Sequence, residues 1–281
     1  MKSQNISDIA DSLLEKGKWT LDLDILPTGL ETLDKALNGG FEKGQTIIIG
    51  GRPGMGVGGF LLGLMNHNVR IGSKRTLFVS YRRGINKVLL FAIANFLDQD
   101  ATKLFLEPPS TKELAKYVEF ERNGLLNIIC PDGFNIVEVE SCIEKMIEGN
   151  GLDLIIIDNM QSMADLSDYD PPYFMTGVAS AFSRIQRLAL THNFCLVLGS
   201  DVHKRAELRT TEPRPNLIDI DNENNLESIA DKVLFIYRPE QYGMDSFWES
   251  PESSIGKAEI VIAKNDLGSI GSIRLGFNKA R

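Results

Sequence analysis

A short apolar run, Thr46 to Ile49, leads into Gly50-Gly51-Arg52-Pro53-Gly54-Met55-Gly56-Val57-Gly58-Gly59-Phe60 and then into a helical pattern. That order of strand, glycine-rich turn and helix lets a loop wrap phosphate with backbone N–H groups. Gly51 and Gly56 stand at G-x-x-x-x-G spacing, with Arg52, Pro53, Gly54 and Met55 between them. The two positions after Gly56 should be a Lys that reaches the β- and γ-phosphates and a Ser or Thr whose hydroxyl holds Mg²⁺. Here they are Val57 and Gly58. A glycine-rich turn by itself serves equally as a tight connection that needs positive φ. A second feature is Leu154-Ile155-Ile156-Ile157-Asp158, an apolar strand that ends in a carboxylate. Such an Asp can be presented to Mg²⁺ or can cap a helix, so Asp158 is a metal-ligand candidate only if Mg²⁺ binds.

These residues need a scaffold, and the pattern around them supplies one. Strand-length apolar runs occur at Thr46 to Ile49, Thr76 to Ser80, Leu126 to Cys130, Leu154 to Asp158, Cys195 to Gly199, Val233 to Tyr237, Glu259 to Ala263 and Ser272 to Leu275. Helical periodicity marks Gly59 to Val69, Lys87 to Leu97, Lys112 to Arg122, Ile136 to Glu148 and Phe174 to Thr191. Alternation of this kind predicts an α/β fold, a mostly parallel sheet with helices on both faces. The last three strands have no long helices between them, which predicts an antiparallel edge. Ile6 to Lys16 carries an apolar helical stripe and reads as a linker helix. The expected layout is residues 1–25 as linker helix and linker, and 26–281 as one α/β domain. Ser246 to Ser254, with Trp248, reads as a mobile insertion, and Asp168 to Tyr173 as a loop before a helix.

Composition narrows the classes. The 281 residues are 43% hydrophobic and 24% charged, ordinary for a globular domain, and carry a net charge of −8. An acidic chain is a poor indiscriminate ligand for nucleic acid, because that mode draws on Lys and Arg to neutralise phosphate. Apolar runs stop far short of the roughly 18 residues of a membrane span. The N-terminus shows no apolar core of a secretory signal, and Cys130, Cys142 and Cys195 lack metal-ligand spacing. A cytoplasmic protein with reduced thiols and no membrane association is expected.

Further segments carry a family resemblance. Leu26-Pro27-Thr28-Gly29-Leu30, Leu33-Asp34, Gly39-Gly40 and the loop from Gly51 to Gly56 are followed by Ile157-Asp158-Asn159-Met160-Gln161-Ser162-Met163. Then come Glu207 and Arg209, Arg214-Pro215, Leu217, Asp219, Leu226-Glu227, Ala230-Asp231, Phe235 to Tyr242 and Ala258 to Lys264. Together these resemble the C-terminal RecA-like domain of the DnaB-type replicative helicases, over about residues 26 to 278. The resemblance implies a RecA-like P-loop NTPase fold. It also implies that the family's N-terminal helical domain is absent and that Ile6 to Lys16 is the helix that docks on a neighbouring subunit.

Departures from the family pattern fall on its chemistry. The family's S-L-E-M, whose Glu activates water, reads Ser80-Tyr81-Arg82-Arg83, so Arg82 stands for the base. The γ-phosphate-sensing Gln is Asp201. K-Q-R-N-G-P-T-G, which sends a Lys and an arginine finger into the neighbour's site, reads Lys264-Asn265-Asp266-Leu267-Gly268-Ser269-Ile270-Gly271; Lys264 is kept and Asp266 stands for the finger. D-L-R-E-S-G, which contacts DNA phosphates, reads Asp219-Ile220-Asp221-Asn222-Glu223-Asn224, placing Asp221 and Glu223 where a strand would be repelled. An arginine finger alone contributes on the order of 10³ to 10⁵ in rate, and it is one of five losses. Hydrolysis is therefore expected to be absent, with no cofactor required and ATP with Mg²⁺ bound weakly if at all. DNA binding is expected to be weak or absent. The expected role is a structural or regulatory subunit, as a homo-oligomer or as a partner of a replication helicase, in DNA replication or a mobile-element assembly. Two alternatives stand beside it: a working helicase with a displaced cation, for which Arg52, Arg82 and Lys264 are candidates, and a nucleotide sensor that does not hydrolyse. The last expectation is that Arg82 fills the vacated cation site against Asp158 and, if a ring forms, pairs with Asp266 of the neighbouring subunit.

Overall fold

A computed structural model describes residues 24–133, 136–163, 174–209, 213–220, 226–248 and 250–278. The linker helix read at Ile6 to Lys16, the loop at Asp168 to Tyr173, and Asp221 and Glu223 lie outside those residues.

The chain opens with β1 (Ile25–Leu26), α1 (Glu31–Ala36) and β2 (Phe41–Glu42), where β1 and β2 form a small antiparallel pair. The main elements follow as β3 (Thr46–Gly51), α2 (Val57–Arg70), β4 (Thr76–Ser80), α3 (Ile85–Leu97), α4 (Ala101–Leu106), α5 (Thr111–Arg122) and β5 (Leu126–Ile129). After these come α6 (Val137–Glu148), β6 (Leu154–Asp158), α7 (Phe174–His192), β7 (Cys195–Asp201), the short α8 (Leu226–Ile229), β8 (Lys232–Tyr237), β9 (Lys257–Asn265) and β10 (Gly271–Gly276).

Eight strands form one sheet in the order β10-β9-β8-β3-β7-β6-β4-β5. From β8 to β5 all neighbours are parallel, and β9 and β10 are antiparallel, as the spacing of the last strands predicted. Strands β3, β4, β6 and β8 are buried at every position, which explains their unbroken apolar character: both faces are covered. Ile47 and Ile49 belong to the apolar cluster under α2 and α3, whereas Ile48, between them, belongs to the cluster under α6 and α7. The chain leaves β3 towards β4 on one side while β8 flanks it on the other. A crevice therefore opens at the carboxyl end of β3, the usual place for a ligand in such sheets.

One sequence expectation needs correction here, and two helices were not read. Ser246 to Ser254 is not a loose insertion: Ser246 bridges to Ser253, Phe247 is buried, and Arg274 lies 4.5 Å over the Phe247 ring. Helices α1 and α4, each six residues, gave no readable period because they are under two turns long.

Candidate phosphate cleft

The loop after β3 has phosphate-loop geometry. Gly54 and Gly56 have φ of +86° and +106°, and Gly56 caps a 14-residue helix, α2, with no side-chain cap. A Cβ on Gly56 would lie 2.6 Å from the Phe277 ring, so glycine is required there on both counts. The first-turn N–H groups of α2 have no intrahelical acceptor and carry the positive end of the helix dipole. Val57 packs over the loop, since a Cβ on Gly51 would meet its Cγ2 at 2.6 Å. Neither Val57 nor Gly58 supplies charge or hydroxyl.

Strand register brings the other positions in. Gly51 pairs with Asp201 and Ser80 with Asp158, so the ends of β3, β7, β4 and β6 meet at one place. The cleft between them, about 500 Å³, is lined by Gly51, Arg82, Arg83, Asp158, Asp201 and Arg238, among others. Arg82 does not lie against Asp158. It donates to Asp201 Oδ1 at 2.8 Å, both side chains being 40% exposed, and Asn159 Nδ2 holds the other oxygen of Asp201 at 2.7 Å. The sequence expectation is corrected: β4 ends at Ser80, the Ser80 hydroxyl accepts from Arg83 N at 3.2 Å, and that turn aims the second arginine inward.

Arg83 is the residue sequence reasoning missed. Its Nη1 donates to Asp158 Oδ2 at 3.1 Å, with Asp158 only 4% exposed. A Cβ on residue 58 would lie 2.8 Å from Nη1 and 3.1 Å from Nη2. The guanidinium thus takes the space between Asp158 and position 58, the two places from which a strand-end Asp and a loop hydroxyl would hold Mg²⁺. Burial pushes the Asp158 carboxyl above its ordinary pKa, and Arg83 and then Arg82 only partly oppose that. A resident Mg²⁺ does not fit these residues: one ligand is missing, the other is engaged by a cation, and like charge would stand in the remaining space. One signal could have found Arg83, namely the loss of every side-chain atom at position 58 together with two adjacent arginines after β4.

The remaining candidates are engaged elsewhere. Arg52 donates through Nε to Glu207 at 2.8 Å and through Nη1 to the Val202 carbonyl at 3.0 Å. Lys264 donates to the carbonyls of Ala230 and Ser228 at 2.6 and 3.1 Å, next to the C-terminus of α8. Asp266 is half exposed and lies 3.7 Å from Lys264 of its own chain. Asp219, read as part of a DNA-contacting loop, is fully buried, hydrogen-bonded by Arg209 and by Asn216 N. Its carboxylate ties Arg209 to the turn at Asn216. Arg238, 2% exposed, donates to the Gly54 carbonyl at 3.0 Å and stacks 3.7 Å over Phe277. No cluster of metal-ligating side chains occurs among the described residues, and no helix there is long and apolar enough to cross a membrane.

A mostly parallel sheet with this loop at its switch point defines the RecA-like P-loop fold. The chain belongs to the family described as DnaB-like helicase C terminal domain, whose model matches residues 26–281. The replicative DNA helicase DnaB of Haemophilus influenzae is 28% identical over 98% of this chain and 59% of its own length. A probable plasmid replicative DNA helicase of Chlamydia psittaci is 25% identical over 91% of this chain and 54% of its own. The chain therefore spans a little over half the length of the curated relatives it matches. Among solved structures, a DnaB-like replicative helicase, described together with its interactions with primase, superposes with a TM-score of 0.81 at 21% identity, covering 99% of this chain and 67% of that one. A KaiC-like protein of Pyrococcus horikoshii reaches 0.60 at 14% identity over 92% of this chain and 97% of that one, which extends the likeness of fold alone.

Proposed function

We propose that this chain is a DnaB-type subunit that does not hydrolyse ATP and acts through protein contacts in DNA replication or a mobile-element assembly. One observation carries the reading: Arg83 lies between Asp158 and Gly58, so the place of the catalytic metal is taken by a side chain of the protein itself. Phosphoryl transfer depends on positioning and charge stabilisation rather than covalent chemistry, so misplaced charge removes most of what the site could do. The base position is Arg82, and it is turned to Asp201. The helicase reading needed Arg52, Arg82 or Lys264 as a displaced cation. Arg52 and Arg82 are each paired with a carboxylate, Glu207 and Asp201, and Lys264 with backbone carbonyls beside α8, which supports the non-catalytic reading over that rival.

Phosphate release from ATP with Mg²⁺, with and without single-stranded DNA, tests the proposal. The expected rate is background, equal in the wild type and in Asp158→Ala. Restoring Val57→Lys and Gly58→Thr alone is expected to leave it there. DNA-stimulated turnover that Asp158→Ala abolishes would overturn the proposal. Self-assembly and joining to a replicative helicase follow from the same reading, and sedimentation of the chain alone and mixed with such a helicase is expected to show one or both.

A further inference from the structure

Arg83 is a cation placed at the positive end of a helix, where the dipole and the first-turn N–H groups of α2 repel it unless an anion shares the space. Asp158 meets only one edge of the guanidinium, through Nη1 at 3.1 Å. Four arginines, at 52, 82, 83 and 238, line the cleft with two aspartates, 158 and 201, while the carboxylates paired with Arg52 and Arg238, Glu207 and Glu240, lie outside its lining. Arg238 adds a second, separate indication: it is 2% exposed, lines the cleft, and its Nε has no hydrogen-bond partner. Loop amides, Arg83 and Arg238 are all donors, gathered on one space of about 500 Å³.

We propose that this cleft binds a polyphosphate in its metal-free form, with Arg83 as the resident counter-cation in place of a divalent ion. The proposal rests on the non-hydrolysing reading above, because it makes the phosphate chain a ligand and not a substrate. A guanidinium is well matched to such a ligand, since it stays charged at any working pH and offers a planar fork that fits phosphate oxygens. Arg52 and Arg238 are also paired with Glu207 and Glu240, neither of which lines the cleft, so the affinity is modest.

Isothermal titration of the full chain with ATP, and separately with inorganic tripolyphosphate, each in EDTA and in excess Mg²⁺, is the test. Both ligands are expected to bind in EDTA. Excess Mg²⁺ is expected to weaken each at least fivefold, because the metal takes phosphate charge that Arg83 otherwise meets. Tighter binding of ATP than of tripolyphosphate would assign a nucleotide, and equal binding an inorganic chain. Arg83→Gln is expected to weaken binding tenfold or more, and Arg83→Lys to recover part of it. Should Arg83→Gln fail to fold, Gly58→Ala serves instead: its Cβ would stand 2.8 Å from Nη1 and push the guanidinium aside, with the same loss expected. Tighter binding in Mg²⁺ than in EDTA, no binding of either ligand at millimolar concentration, or unchanged affinity in a folded Arg83→Gln would each overturn the proposal. Failure of the non-hydrolysing reading shows separately, as phosphate released in the Mg²⁺ arm.

Discussion

Gly58 and Arg83 are two halves of one change: removing the side chain at 58 leaves the space that the guanidinium fills. That coupling predicts a reversal of sign. Gly58→Ala is expected to lower the melting temperature with Arg83 present, because the new methyl displaces the guanidinium from Asp158. In an Arg83→Met background the same substitution is expected to raise stability by up to about 1 kcal/mol, the helix preference of Ala over Gly. Additive effects in the thermal melts of the four proteins would contradict the coupling. Asp158 gives a second prediction. Its raised pKa means that the folded chain holds this proton more tightly than the unfolded chain, so the group stabilises the fold as pH drops through the raised pKa towards the ordinary carboxylate range, and not at neutral pH. Asp158→Asn is expected to keep or raise the melting temperature at pH 7, and a clear fall there would show that the attraction of Arg83 outweighs burial. At this scale the sequence was half legible. Lost groups at 57, 58, 82 and 201 could be read from types and spacing. Which of two neighbouring arginines turns inward could not, because it depends on where β4 ends and on the Ser80 hydroxyl bond to Arg83 N.

Strands β3, β4, β6, β7 and β8 were read nearly to their ends, since a short, mostly apolar run buried on both faces has few other uses. What the pattern could not give was the packing of pieces too short for a period, α1, α4 and the turn at Ser246: α4 leans on the neighbouring α3, and Phe247 lies under Arg274. The phosphate loop keeps its shape as an element even though its charged chemistry is gone. Gly56→Ala is therefore expected to cost about 1–3 kcal/mol, because it forces a Cβ into left-handed backbone at φ +106° and against Phe277. Urea unfolding measures this. A loss no larger than that of an ordinary surface substitution would mean that the loop tolerates another conformation.

The whole molecule keeps its two functions of charge apart. At the end of the sheet opposite the cleft, Asp153, 3% exposed, is held by Arg75 Nε at 2.7 Å and Lys43 Nζ at 2.6 Å, and Lys43 also reaches Asp24. Burial pushes the Asp153 carboxyl up, yet bonds from Arg75 and Lys43 together hold it far below the usual carboxylate range. Its contribution to stability is thus present at neutral pH and persists until strong acid. Asp153→Ala is expected to destabilise by about 3 kcal/mol in denaturant melts at pH 7, and a near-neutral effect would contradict the bracing role. At the opposite end, charge serves the ligand space, where fold and site meet in one claim: the seat of the divalent ion belongs to Arg83. Diffraction at the manganese absorption edge, from crystals grown with ATP and Mn²⁺, tests that claim most directly. The account predicts guanidinium density beside Asp158 and no manganese peak there; a manganese ion within about 2–2.5 Å of an Asp158 oxygen would contradict it.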